Sequence, residues 1–167
     1  MMISRRTVLS TLSASALLAA CGRRRQVYRY DGPEVTSIVL NKSKRRLFLL
    51  HNEQTLKDFP VELGSEPEGH KQQRGDGRTP EGLYYIDRRN PNSEYFLSIG
   101  ISYPAPHDHA RAREAGVNPG GDIFIHGTTA PFVGKPDWTA GCIAVSNEHM
   151  IEIFTMVKLG TPILITP

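Results

Sequence analysis

From residue 35 onward the chain consists of short segments rich in apolar and β-branched residues, separated by turn-forming residues. In several segments apolar and polar positions alternate, the pattern of a half-buried strand. We therefore predict strands at the following positions: 35–40, 45–50, 56–63, 83–86, 95–101, 122–126, 142–145 and 161–166. Between 146 and 157 the apolar residues instead fall at helical spacing, behind a capping Ser146 or Asn147, which predicts one long helix.

Two long segments lack such periodicity. Residues 64–82 contain five Gly and two Pro and are predicted to form a loop, of a length that is usually functional or disordered. Residues 104–118 are polar, with one or two helical turns expected at 110–115. Many short strands and one long helix predict a mainly β fold with one helix, a curled β-sheet or β-sandwich. The chain length of 167 residues fits one such domain, which we place at 34–167.

The first 21 residues predict export. Arg5 and Arg6 precede an apolar and small-residue run that ends at Ala20 and spans 14 residues from Thr7. A membrane-spanning helix needs roughly 20 residues, so residues 1–20 are predicted to be a signal peptide. The paired arginines favour twin-arginine export over an ordinary basic leader.

Residues 18–21 read Leu-Ala-Ala-Cys and resemble a bacterial lipobox, in which the Cys becomes the lipidated first residue of the mature chain. The alternative is simple cleavage that leaves Cys21 free. Lipidation would make 21–33 an anchor and linker, because acyl chains hold a protein at a bilayer. We expect a protein of the cell envelope or periplasm that contacts the membrane through this anchor only. Gly22, where Asp would signal retention, favours the outer membrane in a Gram-negative cell.

Charge argues against a nucleic-acid partner. Five of the 20 basic residues precede position 26, which leaves 15 basic against 17 acidic residues in 26–167. The folded part is therefore close to neutral and lacks the excess of positive charge that nucleic-acid binding requires.

The candidate chemistry centres on one thiol. If Cys21 carries lipid, Cys142 is the only free cysteine, and Gly141 before it allows close approach of another backbone. A thiolate nucleophile needs a nearby base or cation, and His126 ends a predicted strand sixteen residues earlier. Spacing alone leaves open the alternative that Cys142 is an inert, buried hydrophobe.

Three motifs in fixed order resemble a known family. Residues 125–128 read Ile-His-Gly-Thr, residues 139–143 read Thr-Ala-Gly-Cys-Ile, and residues 75–82 read Gly-Asp-Gly-Arg-Thr-Pro-Glu-Gly. Together they are similar to the signature of L,D-transpeptidases of the YkuD type, over about 36–167. The resemblance implies a β-rich catalytic domain that acts on the stem peptides of peptidoglycan.

The resemblance also implies roles for individual residues. Cys142 attacks the carbonyl before the terminal D-Ala, and His126 takes the thiol proton and returns it to the leaving amine. D-Ala leaves, and an amine from another stem or a cell-wall protein resolves the thioester. Main-chain N–H groups around Gly141 and Cys142 would form the oxyanion hole, while Gly127 and Thr139 would shape the site.

Two residues differ from the family's usual motif and leave open which type of reaction the protein catalyses. The family commonly has His where this chain has Ala140, and often Arg where it has Ala144. The missing Arg removes a fork suited to a carboxylate, which puts the acceptor in doubt. A hydrolase acting through the same thiol, which cleaves cross-links or peptidoglycan–protein links, is therefore the second hypothesis. A non-catalytic peptidoglycan-binding lipoprotein is the third.

Other polar residues are weaker candidates. His107, Asp108 and His109 could with Cys142 and His126 suggest zinc, but two His in a Pro-flanked loop are weak evidence. We expect no metal, no cofactor and a monomer, with this segment at the rim of the cleft. Asp108 or His109 is a candidate for binding a substrate ammonium or carboxylate.

Arg78, in the 75–82 motif, is a further candidate. Its guanidinium suits a stem-peptide carboxylate, and a solvated loop charge is the alternative.

Overall fold

The computed structural model describes residues 29–167 and contains one mixed eight-stranded sheet and two α-helices. The strands are β1 (Ser37–Asn41), β2 (Arg46–His51), β3 (Gln54–Pro60), β4 (Gly82–Ser93), β5 (Phe96–Ile101), β6 (Phe124–His126), β7 (Ile143–Ala144) and β8 (Pro162–Thr166). The helices are α1 (Pro106–Glu114) and α2 (Asn147–Met156), and a 3-10 turn covers Ala130–Phe132. The predicted mainly β fold is confirmed. The predicted signal and lipobox lie outside the described residues.

Besides the predicted long helix there is α1, of which the sequence predicts only one or two turns, at 110–115. No apolar periodicity marks its start at Pro106, because only Asp108 and Ala112 are buried in this helix. Interactions at its N-terminus start the helix instead. Pro106 occupies its first turn, and the Asp108 carboxylate accepts a hydrogen bond from the Ala105 N–H at 2.9 Å.

Alternation along the strands builds the core. On β1 the side chains of Ile38 and Leu40 point inward, and on β2 those of Leu47 and Leu49 do so. Helix α2 packs against β5 and β6, and begins where the Ser146 hydroxyl accepts a hydrogen bond from the His149 N–H, at the cap that the sequence predicts. Within residues 29–167, neither helix is long or apolar enough to cross a membrane.

The sheet order is β3-β2-β1-β8-β4-β5-β6-β7, and only the β1–β8 and β6–β7 pairs are parallel. Strand β4 joins the two halves, because its first residues pair with β8 and its later residues with β5. The sheet then curls until its ends meet. Glu62, just after β3, exchanges main-chain hydrogen bonds of 2.9 and 2.8 Å with Ala144 of β7. This pairing fixes β7 from both sides.

Candidate active site

The parallel pairing of β6 and β7 brings the two motif residues to one place. His126 lies opposite Ala144, and Cys142 lies two residues before Ala144. Cys142 directly precedes β7, so the parallel pairing brings the main chain at the two motif residues side by side. The predicted strand–loop–strand arrangement therefore joins the two chain segments.

The His126 imidazole is held in one tautomer. The ring is 4% exposed, and its Nδ1 lies 2.7 Å from the Gly127 carbonyl oxygen. Because a carbonyl oxygen can only accept, Nδ1 carries the hydrogen and Nε2 keeps its lone pair in the neutral ring. Burial lowers the pKa of His126, and the hydrogen bond to Gly127 acts against that shift. The ring is thus an unprotonated base at neutral pH.

The Cys142 thiol is half-buried and donates to the main chain. Its Sγ lies 3.5 Å from the carbonyl oxygen of Asp122, so the hydrogen-bond partner of the thiol is not His126. Burial raises the pKa of Cys142, while a hydrogen bond with the main chain of Phe124 and the ammonium of Lys71 act in the opposite direction. The group therefore rests as a thiol and needs a base to become a nucleophile.

Thr139 organises the turn that precedes the thiol. Its hydroxyl donates to the Cys142 carbonyl oxygen at 2.8 Å and accepts the Gly141 N–H at 3.1 Å. Gly141 has φ +126°, and a Cβ there would lie 2.5 Å from the Arg78 carbonyl oxygen, so only glycine fits. The Gly141 N–H, which is expected to serve an oxyanion hole, is thus bonded to Thr139 in this structure. The Cys142 N–H has no hydrogen-bond partner within residues 29–167.

Gly127 is required by close packing on the imidazole side. A Cβ on it would collide with the Asn147 side-chain oxygen and lie 2.9 Å from the Tyr95 carbonyl oxygen. The Asn147 side chain in turn accepts the Thr128 N–H at 2.9 Å. Helix α2 thereby fixes the chain immediately after His126.

An aromatic wall surrounds the imidazole. The Tyr95 ring centroid is 4.6 Å from that of His126, Trp138 is 5.6 Å away, and Phe132 stacks on Trp138 at 4.1 Å. The recess beside it, called here the aromatic groove, has a volume of about 400 Å³. Its lining includes Phe132, Val133, Lys135, Trp138, Ala144, Glu62 and Glu148.

A second recess, the polar cleft, begins next to the thiol. It has a volume of about 380 Å³ and is lined by Arg74, Asp87, Arg88, Tyr103, Pro104, Gly120, Gly121 and Asp122. Asp122 connects the cleft to the nucleophile, because its carbonyl oxygen accepts the Cys142 thiol. Arg74 and Arg88 are not among the residues predicted from the sequence, since no motif or periodicity distinguishes them.

The loop that carries the third motif is tied down by Asp76. Its carboxylate pairs with Lys71 at 2.7 Å and accepts the main-chain N–H groups of Gln72, Gln73 and Arg78. Burial opposes ionisation, but these partners lower the pKa of Asp76 to about 2. Arg78 packs its carbonyl against Gly141, and it lines neither the polar cleft nor the aromatic groove.

The expectations for the α1 segment need correction. Asp108 is 2% exposed, and its oxygens bond to the Tyr84 hydroxyl, the Ala105 N–H and the Arg111 guanidinium. It stabilises the interior and the start of α1, and is not a rim residue. His109 is exposed on α1 and lines neither recess.

His70 joins the cluster around Asp108, with its Nε2 3.2 Å from Asp108 Oδ1. In the described part of the chain, no group of three or more His, Cys, Asp or Glu side chains is placed to hold a metal ion.

Comparison with known proteins connects this site to a family. The sequence profile of the L,D-transpeptidase catalytic domain (YkuD) matches residues 35–165. A protein of Escherichia coli strain K12 named "Putative L,D-transpeptidase YafK" is 34% identical over 91 residues. The match covers 53% of this chain and 32% of that protein, so the matched region spans about a third of the relative's length.

Solved structures share the fold. The structure of Bd1075 from Bdellovibrio bacteriovorus is 27% identical with a TM-score of 0.59, covering 80% of this chain and 48% of that one. The helical cell shape determining protein Pgp2 from Campylobacter jejuni is 22% identical with a TM-score of 0.60, covering 80% and 51%. The chain therefore spans about half the length of these structural relatives.

Proposed function

The chain belongs to the L,D-transpeptidase catalytic domain family, and we propose that it is a peptidoglycan L,D-transpeptidase with Cys142 as nucleophile and His126 as general base. One observation carries the proposal. The hydrogen bond from His126 Nδ1 to the Gly127 carbonyl leaves Nε2 unprotonated, on the strand whose parallel partner β7 begins directly after Cys142.

The proposed reaction moves one proton back and forth. His126 Nε2 accepts the Cys142 thiol proton as the sulfur attacks the carbonyl carbon between the diamino acid and the terminal D-Ala. The C–N bond breaks, the leaving D-Ala amine takes the proton from the imidazolium, and a thioester remains. An acceptor amine then attacks the thioester and gives a proton to Nε2, and the thiolate leaves and is reprotonated.

The tetrahedral oxyanion needs donors that are free before the reaction. The Cys142 N–H is unpaired within residues 29–167, whereas the Gly141 N–H is bonded to Thr139. We assign the Cys142 N–H as the main-chain donor. Removal of one such donor typically costs a factor of about 10²–10³ in rate.

The charge of the aromatic groove supports an amine as the acceptor. Glu62 and Glu148 line it against the single cation of Lys135, and carboxylates attract the ammonium form of an incoming amine. A stem-peptide amine or an amine of a cell-wall protein is therefore the proposed acceptor.

A hydrolase of the same site is the second candidate, and Ala144 favours it. This residue stands where the family often has Arg and lies in the groove beside Glu62. Without that fork the acceptor loses one means of orientation, and water needs no such recognition to resolve the thioester.

Product analysis tests both candidates. The purified protein is incubated with tetrapeptide muropeptides and with sacculi that carry linked protein, and products are identified by mass spectrometry. New dimers with loss of D-Ala establish the transpeptidase. Shortened stems or released protein without dimers establish the hydrolase. The absence of any product overturns both and leaves the peptidoglycan-binding lipoprotein.

We further propose that residues 1–20 export the protein and that Cys21 anchors it by lipid in the envelope. The motif at 18–21 supports this proposal. Fatty-acid labelling of cells that express the full chain tests it. Label on the wild type that disappears in Cys21→Ala is the expected result, and equal label in both contradicts it.

A further inference from the structure

Arg74 and Arg88, the two arginines of the polar cleft, are in different electrostatic states. Arg88 pairs with Asp87 at 3.1 Å and with Asp122 at 3.0 Å, and its guanidinium lies 4.7 Å from the Phe124 ring centroid. Its charge is thus compensated, while the two carboxylates that share it keep one unit of negative charge between them. Arg74 is exposed and makes no ion pair and no side-chain hydrogen bond within residues 29–167, so it is the cation of the cleft without a direct partner.

The backbone of Arg74 is nevertheless fixed. Its N–H donates to the Asn118 carbonyl at 2.7 Å. Its Cα lies 3.2 Å from where a Cβ of Gly120 would be, and Gly120 has φ +82°, so the close approach requires glycine there. Asp76, two residues on, ties the same loop together. The chain therefore positions a cation without neutralising it, the arrangement expected at an anion site.

The cleft is connected to the thiol through Asp122. Asp122 lines the cleft, and its carbonyl oxygen accepts the Cys142 thiol. In the same loop as Arg74, the Lys71 ammonium is 3% exposed and paired with Asp76. An anion held by Arg74 would thus belong to the molecule that Cys142 attacks, and not to a separate ligand.

We infer that the polar cleft binds a carboxylate of the stem peptide and that Arg74 is its specificity-determining residue. The identity of this ligand rests on the proposed function. Arg74 reaches the polar cleft from the 64–82 loop, whereas Ala144, where the family often has Arg, lines the aromatic groove. Two carboxylates of the peptide fit this chemistry, that of the terminal D-Ala and that on the side chain of the diamino acid.

Binding measurements separate recognition from turnover. Calorimetry on the Cys142→Ala protein compares the tetrapeptide with two analogues, one amidated at the terminal D-Ala and one amidated at the side chain of the diamino acid. The same titrations use Cys142→Ala/Arg74→Met and, as a matched control, Cys142→Ala/Arg113→Met, which removes an exposed arginine on α1. Thermal unfolding verifies that each variant is folded.

We expect one of the two amides to bind about tenfold more weakly than the tetrapeptide, since a hydrogen bond to a charged group contributes at least that factor. The amide with this deficit identifies the carboxylate. Arg74→Met removes the difference and Arg113→Met retains it. Equal affinity for all three peptides, or a preference that survives Arg74→Met, overturns the inference, and so does the absence of binding. Binding as expected without turnover in the wild type would instead contradict the proposed reaction alone.

Discussion

The polar cleft and the aromatic groove adjoin different members of the proposed catalytic pair, the cleft through the contact of Asp122 with the Cys142 thiol and the groove through the contact of Trp138 with the His126 ring. The cleft is held by main-chain hydrogen bonds and ion pairs around Arg74 and Asp76, and it carries two arginines and two aspartates. The groove is held by stacked rings, which cover the imidazole. In the proposals above, the cleft recognises the substrate by charge, and the rings of the groove lower the pKa of the base by burying it.

The largest effect is expected at Cys142, because neither recess contributes to turnover if the Cys142 sulfur does not react. Replacement Cys142→Ala is expected to lower turnover by about 10⁴-fold or more, because removal of a nucleophile leaves only binding and oxyanion stabilisation. Muropeptide turnover and mass spectrometry of a carbapenem adduct measure it. Cys21→Ala is the matched control and retains both. Turnover that persists in Cys142→Ala contradicts the assigned nucleophile.

The two motif glycines, Gly141 before the thiol and Gly127 after the imidazole, should differ in how much an added methyl group lowers the unfolding free energy. Gly141→Ala forces a Cβ against the Arg78 main chain at φ +126° and is expected to cost about 3 kcal/mol or more in unfolding free energy. Gly127→Ala is expected to cost less, since the nearest atom belongs to the Asn147 side chain. Gly116→Ala, with φ +67° and nothing within 4 Å, is the control at about 1 kcal/mol. Urea denaturation gives the order, and a reversal would show that the imidazole end is the more rigid.

The aromatic groove should determine the acid limb of the pH profile. Burial lowers the pKa of His126, so the base is unprotonated at lower pH than an ordinary His. The acid limb of kcat/KM is therefore expected below pH about 6.5. Trp138→Ala opens the ring to water and moves the limb up toward that value. Val133→Ala, which changes an exposed residue of the same groove, leaves the limb in place. A wild-type limb above 6.5 contradicts the assigned base.

The smallest effect concerns the loop that presents Arg74. The pKa of Asp76 is about 2 in the folded protein, and its ordinary value is about 3.9. A carboxyl whose folded pKa is depressed stabilises above its unfolded pKa and loses this contribution as the pH falls from about 4 to 2. Asp76→Asn is expected to cost about 2 kcal/mol at pH 7, with the difference from the wild type vanishing near pH 2. Urea denaturation at both pH values measures it, and a pH-independent difference contradicts the role.

The parts of the fold with apolar alternation could be predicted from the sequence. Strands β1, β2 and β8 and helix α2 lie within two residues of their predicted positions, because one face of each is buried. Strand β4 extends to Ser93, well beyond the predicted 86, since its second half is held by pairing with β5 and carries Pro91 on an exposed stretch. That pairing is a tertiary interaction which no local pattern reports.

The residues of the candidate site also divide into those that the sequence could predict and those that it could not. The motifs placed His126 and Cys142 in sequence, and the parallel strands bring them together. Arg74 could not be predicted from the sequence, because two features of the folded chain distinguish it. Its side chain has no ion-pair partner among the described residues, and its main chain packs against Gly120, which is distant in sequence. Asp108 was misjudged because a carboxylate flanked by two His looks exposed in sequence but is buried here under Tyr84 and Arg111.

The main-chain pairing of Glu62 with Ala144 has a consequence for when the thiol becomes reactive. The two residues are 82 positions apart, so this pair belongs to the slow, long-range part of folding. Until it closes, the short strand after Cys142 has only β6 as a neighbour. A chain that is not yet folded therefore lacks the arrangement of β6 and β7 that sets His126 beside Cys142, and any catalysis by the thiol requires the completed sheet. Hydrogen exchange at the Ala144 amide should accordingly report on the competent enzyme as a whole.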